Sequence, residues 1–75
     1  MRGVFMVGDR IKELREKRGL SLSALAKYSG VSKSYISNIE RGIQTNPSLI
    51  VMKKLADTLD VPLDDLAAWK MGKGD

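Results

Sequence analysis

Lys33, Ser34, Ser37, Asn38 and Arg41 stand at i, i+1, i+4, i+5 and i+8. On a helix of about 3.6 residues per turn, that spacing gathers them into one arc of roughly 140°. Tyr35, Ile36, Ile39 and Glu40 fall on the opposite arc. The outward arc therefore carries two cations, one amide and two small hydroxyls, with no acid among them. These groups suit the edges and backbone of a duplex: lysine to guanine acceptors, asparagine bidentate to adenine, serine to base or phosphate. A generic polar helix surface would read the same in isolation, so the assignment depends on the elements around it. Other chemistry is poorly supplied. The chain has no cysteine and no histidine, which removes thiol chemistry, the zinc-thiolate site and the commonest general base and metal ligand. No catalytic or metal-binding residues are assigned, no cofactor is expected, and no small-molecule substrate is evident.

Helical periodicity recurs along the chain, and strand signals are weak. A first helix is expected over about Gly8–Arg18, with Ile11, Leu14 and Arg18 on one face and a stop at Gly19. Ser21 caps a second over Ser21–Tyr28, which presents Leu22, Leu25 and Ala26. Ser29-Gly30-Val31 breaks it, with Gly30 suited to a left-handed backbone. Ser32 caps a third over Ser32–Arg41 that ends at Gly42. Asn46 is placed as the cap of a fourth helix with Pro47 at its first position. Leu49, Met52, Leu55, Ala56 and Leu59 are its expected inner face. A fifth, about Pro62–Trp69, brings Leu63, Leu66 and Trp69. The fold class is all-α. Two short helices joined through Gly30 form the arrangement that places a second helix in the major groove.

Seventy-five residues make one domain. A chain this small buries only about 60% of its surface, which leaves little room for a deep substrate pocket. A composition 43% hydrophobic and 29% charged is that of a soluble folded chain. Runs such as Val4–Val7 and Leu49–Met52 are too short to cross a bilayer, and residues 1–6 are too weak for a secretory signal. We read residues 1–6 as an N-terminal extension, with Met6 an alternative start, 7–69 as the domain and 70–75 as a tail. Location is cytoplasmic by default. The net charge is +4. Residues 1–54 hold 11 basic and four acidic groups, and residues 55–75 hold two and five. A basic body with an acidic end suits a polyanion-binding face; an ordinary solvated surface is the alternative. No aromatics are interleaved with the charges, which disfavours a single-strand stacking platform.

The stretch from Leu20 to Gly42 resembles the Cro/CI-type (XRE) helix-turn-helix family. Leu25-Ala26, Gly30-Val31-Ser32, Ile36-Ser37 and Ile39-Glu40-Arg41-Gly42 carry the likeness. It continues through Arg10-Ile11-Lys12-Glu13-Leu14-Arg15 upstream and Pro47-Ser48-Leu49, Leu55-Ala56 and Leu66 downstream, about residues 7–66 in all. The resemblance implies a five-helix lambda-repressor-like bundle. It implies base reading by Lys33, Ser34, Tyr35, Ser37, Asn38 and Arg41. It implies phosphate contacts from Ser21, Ser23, Ser32, Gln44, Thr45 and Asn46, and helix starts favour anions in any case. Many family members carry glutamine near the start of helix two, where this chain has Leu22. Leucine either touches a thymine methyl or packs inward.

Arg15 shares a face with Ile11, Leu14 and Arg18, and Glu40 lies on the inner arc of helix three. Half-buried charges need partners, so these two pair or each snorkels to water; the resemblance also implies the pair. Phe5, Met6, Trp69 and Met71 either cap the core or, at the C-terminal end, contribute with Leu63 and Leu66 to a homodimer seam. Restriction-modification controller proteins of this family suggest the seam, and pairing two half-sites is the usual route to specificity. The expected function is thus a homodimeric regulator, a repressor, that binds double-stranded DNA. An antitoxin or controller of a two-gene module is one alternative. An interaction adaptor without DNA is another, disfavoured by the acid-free outer arc.

Overall fold

Three serines begin three helices. In the computed structural model, which describes residues 7–66, α1 spans Val7–Lys17, α2 Leu22–Ser29, α3 Lys33–Glu40 and α4 Leu49–Leu59. A further helical segment begins at Leu63 and runs through 66, the last described residue. Ser21 Oγ accepts from the Ala24 amide at 3.0 Å, Ser32 Oγ from Tyr35 at 3.1 Å and Ser48 Oγ from Val51 at 3.2 Å. Each bond satisfies an amide that the first turn would otherwise leave unpaired. The cap of α4 is therefore Ser48, not Asn46 as expected. Pro47 lies outside the helix and is fully buried in the core instead. The other boundaries within the described residues fall within a residue or two of their expected places, and the expected end of the fifth helix at Trp69 lies outside them. The 1–6 extension, the 70–75 tail and Phe5, Met6, Trp69 and Met71 lie outside the described residues. Among the described residues no helix is long and apolar enough to cross a membrane.

One core serves all the elements. Ile11 and Leu14 of α1, Leu25 of α2, Ile36 and Ile39 of α3, and Met52, Leu55, Ala56 and Leu59 of α4 are buried together with Val31 and Leu66. Leu49 is the exception to the expected inner face of α4, standing 61% exposed. Helical phase puts it in line with the buried Met52, yet no neighbouring element covers it. Leu22 is half-buried against the core, the inward of its two expected orientations.

Polar side chains then lock the helices to one another. Arg15 reaches Glu40 through two bonds, Nε to Oε2 at 2.7 Å and Nη2 to Oε1 at 3.0 Å. Its remaining Nη1 donates to the Leu20 carbonyl at 2.7 Å. The Arg15 and Glu40 side chains are only 11% and 6% exposed, so the expected pair forms inside the protein. Hydrogen bonding to Glu40 pushes the Arg15 guanidinium pKa above its ordinary value. Arg10 grips Asp65 in the same two-pronged way, at 2.8 and 2.9 Å, tying the last helical segment to α1. Arg18 Nε donates to the Leu59 carbonyl at 2.9 Å, closing the end of α4. Arg18 therefore acts as a cap as well as a face residue.

Removing either Arg15 or Glu40 strands its partner as a nearly buried lone charge. Arg15→Met and Glu40→Leu should each cost about 3 kcal/mol in chemical denaturation, and the double variant should recover part of the summed loss. Two losses that simply add would show that the charges are not coupled. The second clasp gives a pH prediction. The bonds from Arg10 hold the Asp65 carboxyl below the usual carboxylate range. A depressed folded-state pKa contributes stability above the unfolded value and loses it as pH falls through the folded one. Asp65→Asn should therefore be less stable by about 1 kcal/mol at neutral pH. The deficit should close when melting is followed into acid below the carboxylate range. A deficit independent of pH would rule out the ionic contribution.

Candidate nucleic-acid interface

The turn between α2 and α3 is built from four residues. Gly30 ends α2 at φ 79°, and its amide donates to the Ala26 carbonyl at 2.9 Å. A side chain in this left-handed conformation would be strained. Ser29 Oγ accepts from the Val31 amide at 3.1 Å, Val31 plugs into the core, and Ser32 then caps α3. The turn is thus held by its backbone and by one buried side chain, and it sets α3 at a defined angle to α2.

Burial of Ile36 and Ile39 turns the opposite arc of α3 outward. Lys33 and Ser34 are exposed, Ser37 and Asn38 are half-buried, and Arg41 is exposed at the end of the helix. Tyr35 is half-buried and packs against the core, as its place on the inner arc dictates. The cations differ in what they meet. Arg10, Arg15, Arg18 and Lys53 pair with acids, whereas Lys27, Lys33 and Arg41 of the helix-turn-helix, like Lys12, Lys17 and Lys54 elsewhere, form no ion pair among the described residues. The helix-turn-helix surface thus offers positive charge that the fold itself does not neutralise.

The residues expected to meet phosphate lie around this arc. Ser21, Ser23 and Ser32 are exposed at the starts of α2 and α3. Ser21 and Ser32 use only an oxygen lone pair for capping, which leaves each hydroxyl hydrogen as a donor. The loop after α3 is drawn back onto it, because the Ile43 and Gln44 amides both donate to the Asn38 carbonyl at 2.9 Å. Gln44 Oε1 accepts from the Asn46 amide at 2.9 Å, which shapes the loop and leaves the Gln44 side-chain NH2 available as a donor. Thr45 and Asn46 are exposed. The tie to the Asn38 carbonyl has no side-chain signature, since it is made entirely by backbone. Sequence reasoning also passed over Tyr28, Ile43 and Ile50, which are 65%, 62% and 69% exposed. The proposed seam changes too. Leu66 is fully buried in this chain's own core and offers no surface, while Leu63 is half-buried.

Comparison with known proteins bears on the same elements. A helix-turn-helix family model matches residues 11–66. The transcriptional regulator SinR of Bacillus subtilis is 51% identical over 61 residues, covering 81% of this chain and 55% of SinR. The chain thus spans about half the length of the curated relatives it matches. The crystal structure of the master regulator for biofilm formation SinR in complex with DNA superposes with a TM-score of 0.80 at 50% identity, covering 83% of this chain and 98% of that one. The restriction-modification controller protein C.AhdI from Aeromonas hydrophila gives 0.76 at 43% identity, covering 80% and 89%. On the family match, the sequence likeness and the shared backbone, this chain belongs to the helix-turn-helix family.

Proposed function

We propose that this chain is a sequence-specific regulator of transcription, a repressor, that reads the major groove of double-stranded DNA with α3. One observation carries the reading. The outward arc of α3 combines cations that pair with no acid among the described residues with hydrogen-bonding side chains, on a backbone that superposes on DNA-bound SinR. Lys33, Ser34, Ser37, Asn38 and Arg41 face base edges, and Tyr35 contributes from the flank of the helix. Ser21, Ser23, Ser32, Gln44, Thr45 and Asn46 contact phosphates, which position the helix without reading sequence. Two copies place their α3 helices in successive major grooves, about 34 Å apart, and a promoter so covered is closed to polymerase. The protein acts in the cytoplasm, needs no cofactor and performs no catalysis. Likeness to C.AhdI supports a second reading, control of a restriction-modification module. Operators recovered beside such a gene pair, rather than at other promoters, would favour it.

Affinities of alanine variants for a selected operator and for random duplex, each at several salt concentrations, test the division of labour. Lys33→Ala and Asn38→Ala should each cost about 1–3 kcal/mol on the operator and relax base preference at one position. Alanine at Gln44, Thr45 or Asn46 should weaken all duplexes together and leave the salt slope nearly unchanged, because neutral donors release no counterions. Arg41→Ala discriminates its own role: a slope reduced by about 0.9 assigns it to phosphate. Equal losses on operator and random duplex for Lys33→Ala and Asn38→Ala would remove α3 as the reading element.

A further inference from the structure

Gly8 lies buried in the first described turn of α1, where a helix gains nothing from glycine. Its φ is not left-handed, so backbone conformation does not call for glycine here. Proximity does. A Cβ built on Gly8 would collide with the Ile39 carbonyl oxygen, and would lie 2.8 Å from the Ile39 carbonyl carbon and 3.1 Å from the Glu40 Cα. All three atoms belong to the backbone of α3, which cannot swing aside as a side-chain tip would. The hydrogen that replaces Cβ points at that oxygen, the arrangement of a Cα–H···O contact. The other three glycines whose surroundings are described, Gly19, Gly30 and Gly42, have open space where a Cβ would go and serve left-handed turns instead. Gly8 is therefore the glycine through which two helices touch.

We propose, on the reading of α3 as the duplex-facing helix, that Gly8 is a positioning residue for DNA recognition: the bare backbone of α1 sets how far the end of α3 stands out from the bundle. The contact falls on Ile39 and Glu40, next to the Asn38 carbonyl that holds the following loop and on the residue clamped by Arg15. Arg15 fixes the rotation of α3 by gripping the Glu40 side chain, and Gly8 fixes the spacing by meeting its backbone. A methyl group at position 8 pushes the end of α3 away from α1. That shift moves Asn38, Arg41 and the 44–46 loop relative to Lys33 at the other end.

Gly8→Ala tests this with two readouts, taken well below the melting midpoint. The first is the ratio of affinities for a selected operator and for random duplex. The second is the set of backbone amide shifts in a nitrogen–proton NMR spectrum. The ratio should fall by about tenfold, with random-duplex affinity within about twofold of the parent. Shift changes should run through α3 and the 43–46 loop. At an open helical site the same substitution would instead raise the melting midpoint by about 4–8 °C. A raised midpoint with an unchanged affinity ratio and shifts confined to α1 would overturn the proposal. Should the parent protein prefer no duplex, the DNA reading fails by itself. The shifts still decide whether Gly8 spaces α3. If Gly8→Ala unfolds, the same measurements are made in an Asp60→Gly background, which relieves the left-handed backbone at φ 58° that ends α4.

Discussion

One guanidinium joins three parts of this protein. Arg15 projects from α1, grips the Glu40 carboxylate on α3 with two hydrogen bonds and gives a third to the Leu20 carbonyl between α1 and α2. Taking two charges out of water is costly, so the net gain of such a pair over apolar side chains is small. What an apolar pair lacks is direction. A bidentate bond has one good geometry, and here that geometry fixes the rotation of α3 about its own axis. Residues on a helix are spaced about 100° apart, so a small roll would trade Lys33 or Asn38 on the outer arc for Tyr35. The face presented to a duplex depends on that angle.

Charge is partitioned by the same logic. The arginines of α1 and of the turn after it are occupied within the fold: Arg10 with Asp65, Arg15 with Glu40, Arg18 with the end of α4. Lys27, Lys33 and Arg41 on the helix-turn-helix pair with no acid among the described residues. Pairs set in the interior are weakly screened by salt, whereas exposed cations respond to it strongly. The chain thus separates the charges that hold its architecture from those available to a polyanion. A net charge of +4 conveys none of this separation.

Helices of eight residues, such as α2 and α3, would not persist alone in water. They survive here because each is capped at its start and pressed onto a shared core by two or three apolar side chains. Val31 and Pro47 extend that core into the connections on either side of α3. The loop that follows α3 is equally bound, through the Asn38 carbonyl. Anchored connections leave little freedom around α3, so the proposed binding of a duplex there would cost little ordering entropy.

What could be read from the sequence was what neighbours along the chain decide. Ser21 and Ser32 marked helix starts because a hydroxyl caps amides only three residues away. The division of α3 into Ile36 and Ile39 against Lys33, Ser34 and Arg41 followed from helical period alone. The Arg15–Glu40 pair was legible because each charge sat on an apolar face and the resemblance joined them. Other features required the tertiary structure. Leu49 has the phase of a core residue, yet only the crossing of the helices decides whether a neighbour covers it. Asn46 and Ser48 are both good caps, and the burial of Pro47 selected between them. Arg10 and Asp65 are 55 residues apart, with no pattern linking them. Glycine is a poor helix former by type, and only the backbone of α3 lying against Gly8 accounts for it there. Caps and periodicity act within about one turn of helix, and so are written locally. Which faces meet, and how closely, is settled only when the whole core closes.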